Sequence, residues 1–223
     1  MKKIGLLPAS GRATRLKGIP KFCLPVNEDE TLLEWHCRLL DDVCDEIRIS
    51  TRSEWMPIVN ELNLPSKVSV LEIPPSTMPD AVSKLRGGNL DDLFIIGMPD
   101  TFIAEFTSSF YESLSTTKGN VGLALWPCTE QLRGKVGQID LGQSGEFLDA
   151  KDKIGDCSYP FMWGGLAIKG VPIQSEFSNF TELLNIWQKS QFQIETFVVS
   201  GNYMDLGSYT GIELFYTMKN SRP

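Results

Sequence analysis

The sequence has a single histidine, His36, among its 223 residues. It sits inside a helical apolar pattern, which suits core packing and excludes a Ser-His-Asp type triad. Neither Gly-x-Gly-x-x-Gly nor Gly-Lys-Ser/Thr occurs, so the dinucleotide fingerprint and the P-loop are both absent. The five cysteines, Cys23, Cys37, Cys44, Cys128 and Cys157, show no Cys-x-x-Cys spacing and read as free thiols of a reducing cytoplasm. There is no run of Lys or Arg, and the net charge is -7, which argues against a nucleic-acid surface. Behind Met1-Lys2-Lys3 only Ile4-Gly5-Leu6-Leu7 precedes Pro8, too short for a signal peptide or membrane span. The expectation is a cytoplasmic protein with no membrane or nucleic-acid partner.

What is present is an ordinary globular composition, 42% hydrophobic and 22% charged, enough to bury a substantial core. Short β-branched runs alternate with helical patterns in the first half, the signature of βαβ units and a parallel sheet. The expected strands are Lys3 to Pro8, Glu46 to Thr51, Lys67 to Ile73 and Leu93 to Gly97. Thr31 and Glu34 have the spacing of a capping box, so a helix opens there. Further helices are expected over Ser53 to Leu64, Pro79 to Leu85 and Phe102 to Thr117. From Val121 the pattern changes to strands at Val121 to Trp126, Gly134 to Leu141, Glu146 to Ala150 and Met162 to Ile168, an antiparallel addition to the sheet. A helix at Thr181 to Ser190, a strand at Ile194 to Ser200, a turn at Gly201-Asn202 and a helix from about Ser208 complete one domain, 1–223.

The loop after the first strand, Pro8-Ala9-Ser10-Gly11-Arg12-Ala13-Thr14-Arg15-Leu16, is made of small residues that let backbone N–H groups approach phosphate oxygens. Arg15 can grip phosphate in a fork, and Lys21 adds a compact charge. The plainer reading is a surface loop with stray cations. The segment, with Thr14-Arg15-Leu16, Pro20-Lys21 and Pro25-Val26, resembles the signature of the sugar-phosphate nucleotidylyltransferases, with Ser10 and Ala13 where two glycines are usual. The spacer between Leu16 and Pro20 is short, as in related cytidylyltransferases.

That resemblance implies a Rossmann-like three-layer sandwich with a mostly parallel mixed sheet flanked by helices. About 1–120 would bind nucleotide and about 121–223 the acceptor. It implies a nucleotide site at Pro8 to Arg15 and Asp80. Two magnesium ligands are implied, Asp100 in Gly97-Met98-Pro99-Asp100 and Asp205 in Asp205-Leu206-Gly207-Ser208. Read without it, Asp100 and Asp205 are equally helix caps, and Pro75 to Val82 a turn and helix start. The acceptor side is implied at Gly137, Asp152, Lys153 and Gly165, with Lys151 a rival to Lys153.

The implied reaction couples a nucleoside triphosphate to a sugar 1-phosphate and releases pyrophosphate, with Mg²⁺ as cofactor and Arg15, Lys21 and Lys153 as catalytic cations. The alternatives are a cytidylyltransferase-type enzyme using a non-sugar phosphate or phosphonate, and a non-catalytic nucleotide-sensing domain. No Asp-x-Asp follows the Leu93 to Gly97 strand, which disfavours a metal-dependent glycosyltransferase.

Overall fold

The computed structural model describes residues 1–74, 77–104 and 109–220, except the side chains of Arg15, Ala104, Ser109 and Asn220. Its parallel block comprises β1 (Lys3–Pro8), β2 (Glu46–Thr51), β3 (Val68–Glu72) and β4 (Leu93–Ile96), ordered β4-β1-β2-β3. Beyond β4 lies β9 (Phe161–Ile168), antiparallel to both β4 and β6 (Val121–Pro127). The edge strand β10 (Ile194–Val198) runs parallel to β6. A hairpin of β7 (Gly137–Leu141) and β8 (Phe147–Asp152) joins through β9. The helices are α1 (Leu32–Asp41), α2 (Met56–Asn60), α3 (Met78–Arg86), α4 (Ser109–Ser115), α5 (Phe180–Lys189) and α6 (Tyr209–Asn220).

Strand alternation divides the core between the two faces of the sheet. Ile4 and Leu6 of β1 join Phe94 and Ile96 of β4 in one cluster with Val82 and Leu85 of α3 and Leu183 and Trp187 of α5. Leu7 and Ile95 point the other way, into a cluster with Leu33 and Leu40 of α1 and Phe110 and Leu114 of α4. Gly5 faces α1, and a Cβ there would meet Leu40 Cδ1 at 3.1 Å, so the strand and helix pack without a side chain between them. Each fully buried Leu or Phe in these layers contributes roughly 1.5–3 kcal/mol. The result is the expected three-layer α/β sandwich.

The order of the strands creates the crevice. From β1 the chain winds outward through β2 and β3, then crosses back to β4 on the other side of β1. The loops after β1 and β4 therefore leave the carboxyl edge on either side of a topological switch point, where open α/β sheets hold ligands.

Local signals placed most boundaries. Thr31 caps α1 in a full capping box: Glu34 N donates to Thr31 Oγ1 at 3.4 Å and Thr31 N to Glu34 Oε2 at 2.8 Å. The helix expected at Ser53 to Leu64 is shorter, a single 3-10 turn at Ser53–Trp55 followed by α2, which ends at Asn60. The strand expected from Gly134 begins at Gly137 after a turn.

The largest correction concerns the helix expected over Phe102 to Thr117, of which Ser109–Ser115 is helical as α4 and 105–108 lie outside the described residues. Residues Thr101–Ala104 are not helical but form β5, which pairs antiparallel with β11 (Asn202–Asp205) in a separate two-stranded sheet. The turn expected at Gly201-Asn202 thus opens a strand. Neither was legible because two four-residue strands that exist only through their mutual pairing carry almost no local signal. Among the described residues, no helix is long and apolar enough to cross a membrane.

Candidate functional site

The β5–β11 ribbon brings the two acids together. Thr101 is the ladder partner of Asp205, and Leu206 N donates to the Asp100 carbonyl at 3.0 Å, so Asp100 and Asp205 sit side by side at the ribbon's end. Because Asp100 leads into a strand, it caps no helix. Asp205 caps none either, since its Oδ1 accepts Gly207 N at 2.7 Å while Ser208 Oγ accepts Gly211 N at the start of α6. Tyr203, between them in the fold, has its phenol pKa pushed well above the usual range by burial and then by the Asp100 and Asp205 carboxylates.

Facing this pair is the loop after β1. Ala9 N donates to the Ser50 carbonyl, anchoring the loop's base. Among the described residues, no backbone N–H from Ser10 to Thr14 finds a backbone acceptor, so the loop offers a row of open donors. Ala13 holds φ +50°, in the left-handed region that glycine favours, at one of the two positions where the resemblance expects glycine. The loop then closes through Leu16 N and Gly18 N, both donating to the Ala13 carbonyl.

Three cavities run in sequence along the carboxyl edge. The central one, about 300 Å³, is lined by Pro8, Ala9, Gly11, Arg12, Ala13, Thr14, Lys21 and Asp100, with Pro20, Phe22, Met78, Met98 and Pro99. Toward β2 lies a second of about 360 Å³, with Ser10, Gly11, Arg12, Arg52, Thr77 and Met78 in its wall. Toward the β7–β8 hairpin lies a third of about 190 Å³, which includes Lys135, Gly137, Asp152, Lys153, Trp163, Asn179, Tyr203 and Asp205. Asp100 and Met98 border both the central and third cavities, and Met78 borders all three. A wider depression of about 780 Å³ around Glu28, Asp29, Glu30, Glu34 and Asp41 lies elsewhere. Its carboxylates would repel an anionic ligand, so it is not a rival phosphate site.

Across the central cavity, Lys21 Nζ lies 2.8 Å from Asp100 Oδ2, with side-chain exposures of 17% and 31%. The side chain of Arg15 is outside the described residues, as are Pro75 and Ser76 of the following loop. Lys153, at φ +53°, turns out of the hairpin into the third cavity, with Nζ 3.7 Å from Asp152 Oδ2. Lys151 stacks over the Tyr159 ring, 4.9 Å from its centroid, and does not border that cavity.

Two residues lie away from the cavities. Asp80 sits in the first turn of α3 with Lys84 Nζ on its Oδ2 at 2.9 Å. Gly165 faces α4, where a Cβ would collide with the Phe110 ring, so its smallness serves helix packing. Gly137 does border the third cavity, and a Cβ there would strike the Trp163 indole.

Arg52, Met78, Lys135 and Tyr203 also line these cavities, and none of them was given a site role from sequence. Arg52 carried a usable signal: it is the first residue past β2 on the ligand-bearing edge, and its Nε donates to the Ser10 carbonyl at 2.9 Å. Asp100 and Asp205 supply the hard oxygen donors that suit a divalent cation. Among the described residues, no three His, Cys, Asp or Glu side chains converge, so such a cation would complete its shell with ligand oxygens and water.

No protein-family profile matches the chain, and no curated protein does. Solved structures match it closely in shape. A Bacillus anthracis protein described as a glucose-1-phosphate thymidylyltransferase superposes with a TM-score of 0.80 at 15% identity, covering 99% of this chain and 96% of its own. A UTP-bound UGPase from Acinetobacter baumannii gives 0.76 at 19% identity, covering 100% and 95%. A UDP-glucose pyrophosphorylase complexed with UDP-glucose gives 0.76 at 19% identity and covers 100% of both chains. Three layers, the switch-point crevice and full-length superposition agree: this chain has the fold of the sugar-phosphate nucleotidylyltransferases.

Proposed function

We propose that the chain is a nucleotidyltransferase that joins a nucleoside triphosphate to a sugar 1-phosphate and releases pyrophosphate, using Mg²⁺. The observation that carries this reading is the position of Asp100, shared by the central and third cavities and paired with Lys21. Two substrates seated in those cavities would meet at one carboxylate.

The base and ribose lie toward Arg52, and the phosphates lie on the open N–H groups of residues 10–14 with Lys21 against their oxygens. The acceptor lies over Gly137 with its phosphate toward Lys153. Held there, an acceptor phosphate oxygen forms a bond to the α-phosphorus while the bond from that phosphorus to the β-bridging oxygen breaks, and pyrophosphate leaves with the electron pair. A phosphate monoester has its second pKa near ~6, so the attacking oxygen is already ionised at neutral pH. No general base is needed, consistent with a site whose one nearby imidazole is fully buried. The chain's own contribution is positioning and placement of positive charge where negative charge gathers on the leaving group. Mg²⁺ at Asp100 and Asp205 would supply further charge neutralisation on the phosphates.

The reading is tested by screening the four common triphosphates and dTTP against a panel of sugar 1-phosphates, phosphocholine and aminoalkyl phosphonates, with pyrophosphate release as the readout. Release that needs both a triphosphate and a sugar 1-phosphate supports it. Release only with a non-sugar acceptor moves the substrate class. Nucleotide binding with no release across the panel overturns enzyme activity in favour of a sensing role.

A further inference from the structure

His36 is enclosed beneath the turn that carries Asp100 and is 1% exposed. Its Nε2 lies 2.9 Å from the Thr101 carbonyl oxygen and its Nδ1 2.8 Å from the Tyr111 hydroxyl. A carbonyl only accepts, so Nε2 carries the proton and donates to it; Nδ1 then accepts from the tyrosine hydroxyl. Tyr111 is itself 0% exposed, and its hydroxyl fills the space where a Cβ on Gly97 would stand. Gly97, the first residue of the turn, is thereby tied to the same arrangement.

The carbonyl held by His36 has a particular address. Thr101 follows Asp100 in the chain and is the ladder partner of Asp205. Its own N–H and Oγ1 both donate to the Met98 carbonyl, at 3.0 and 2.8 Å, closing the turn on the other side. A side chain needed only to fill space here would be apolar, because burying an imidazole carries a desolvation cost that its two hydrogen bonds must offset. One bond of this imidazole fixes the Thr101 carbonyl beside the two acids, and the other, from the Tyr111 hydroxyl, holds the ring in place.

We infer that His36, backed by Tyr111, is a positioning residue that sets the placement of Asp100 relative to Asp205 and so the geometry of the divalent-cation site they form. This rests on reading those two acids as cation ligands.

The test measures Mn²⁺ binding to the full chain by electron paramagnetic resonance of the free ion, beside thermal unfolding of each variant. The wild type should bind Mn²⁺ that Mg²⁺ displaces, and Asp205→Ala should abolish that binding. His36→Leu fills the cavity without the donor and should weaken Mn²⁺ binding by about tenfold or more, the scale seen when groups that orient a metal ligand are removed. His36→Gln can still donate to the Thr101 carbonyl and should stay within about threefold of wild type. Tyr111→Phe, which deletes one hydroxyl, should fall between them, and it decides the matter if His36→Leu does not fold. Folded His36→Leu and Tyr111→Phe proteins with wild-type Mn²⁺ affinity would overturn the inference, as would His36→Gln as weak as a folded His36→Leu. Unchanged Mn²⁺ binding in Asp205→Ala would overturn the cation site itself, and the inference with it. Loss in Asp205→Ala with indifference at His36 would remove the inference alone.

Discussion

Lys21 Nζ and Asp100 Oδ2 stand 2.8 Å apart although 79 residues separate them in the chain. The pair spans the crevice, joining the loop after β1 to the turn after β4. Each charge satisfies the other across the crevice. Under the proposed function, the lysine would transfer to phosphate oxygens and the carboxylate to a cation when substrates bind.

Replacing Lys21 with Ala is expected to lower turnover by about 10²-fold or more, the scale of removing one preorganised charge-stabilising donor. Steady-state pyrophosphate release measures it. Near-normal turnover would take Lys21 out of the chemistry, whatever its effect on Asp100.

The acceptor side separates two lysines. Lys153 borders the third cavity while Lys151 lies over Tyr159. Lys153→Ala is expected to raise the acceptor KM about tenfold, the worth of a charge-assisted contact of roughly 1.4 kcal/mol, with little change for the triphosphate. Lys151→Ala should leave both within about twofold. The reverse pattern would reassign the acceptor phosphate.

Much of the frame was readable before any coordinates, and the reasons are local. β1 holds Ile4, Leu6 and Leu7, β2 carries Ile47 and Ile49 at alternating positions, and α1 opens on a capping box, features that nearby residues determine. The β1 loop, Lys21, Asp100 and Asp205 stood out through a resemblance that preserves order along the chain. What escaped was made by distant parts meeting. The β5–β11 ribbon has four residues per strand and no partner in the local sequence. Arg52, Met78 and Lys135 line the cavities because segments distant in the chain meet at the carboxyl edge of the sheet. At Gly165 a Cβ would meet the Phe110 ring, and smallness required by that ring looks the same, in sequence, as smallness required by a ligand.

Ala13 adopts φ +50°, a conformation that costs an L-residue roughly 1–2 kcal/mol. Glycine relieves that strain but adds back chain entropy of about 0.5–1 kcal/mol in the unfolded state. Ala13→Gly is therefore expected to stabilise the protein by up to about 1 kcal/mol, read as a higher urea midpoint at unchanged m-value. A loss of more than about 1 kcal/mol would show that the alanine methyl packs productively.

Burial pushes the His36 pKa down to about 4, against the hydrogen bond to the Thr101 carbonyl and the Asp100 charge, which raise it. The folded state therefore binds this proton less readily than the unfolded chain, where the pKa is near 6.5. The stabilisation is present above pH ~6.5 and is lost as pH falls toward ~4, with a slope of up to about 1.4 kcal/mol per pH unit from this group. Denaturant melts of wild type and His36→Gln across that window measure it. Parallel curves for the two proteins would show that His36 does not drive the acid limb.

The central claim is that one acceptor oxygen attacks the α-phosphorus of a triphosphate held between Lys21 and Asp100. The most direct measurement is ³¹P NMR of a reaction containing the chain, Mg²⁺, a triphosphate and a sugar 1-phosphate. The account predicts the growth of two mutually coupled resonances of a diphosphate diester, matched one for one by free pyrophosphate. Nucleoside diphosphate with inorganic phosphate, or an unchanged spectrum for every triphosphate and acceptor pair, would contradict it.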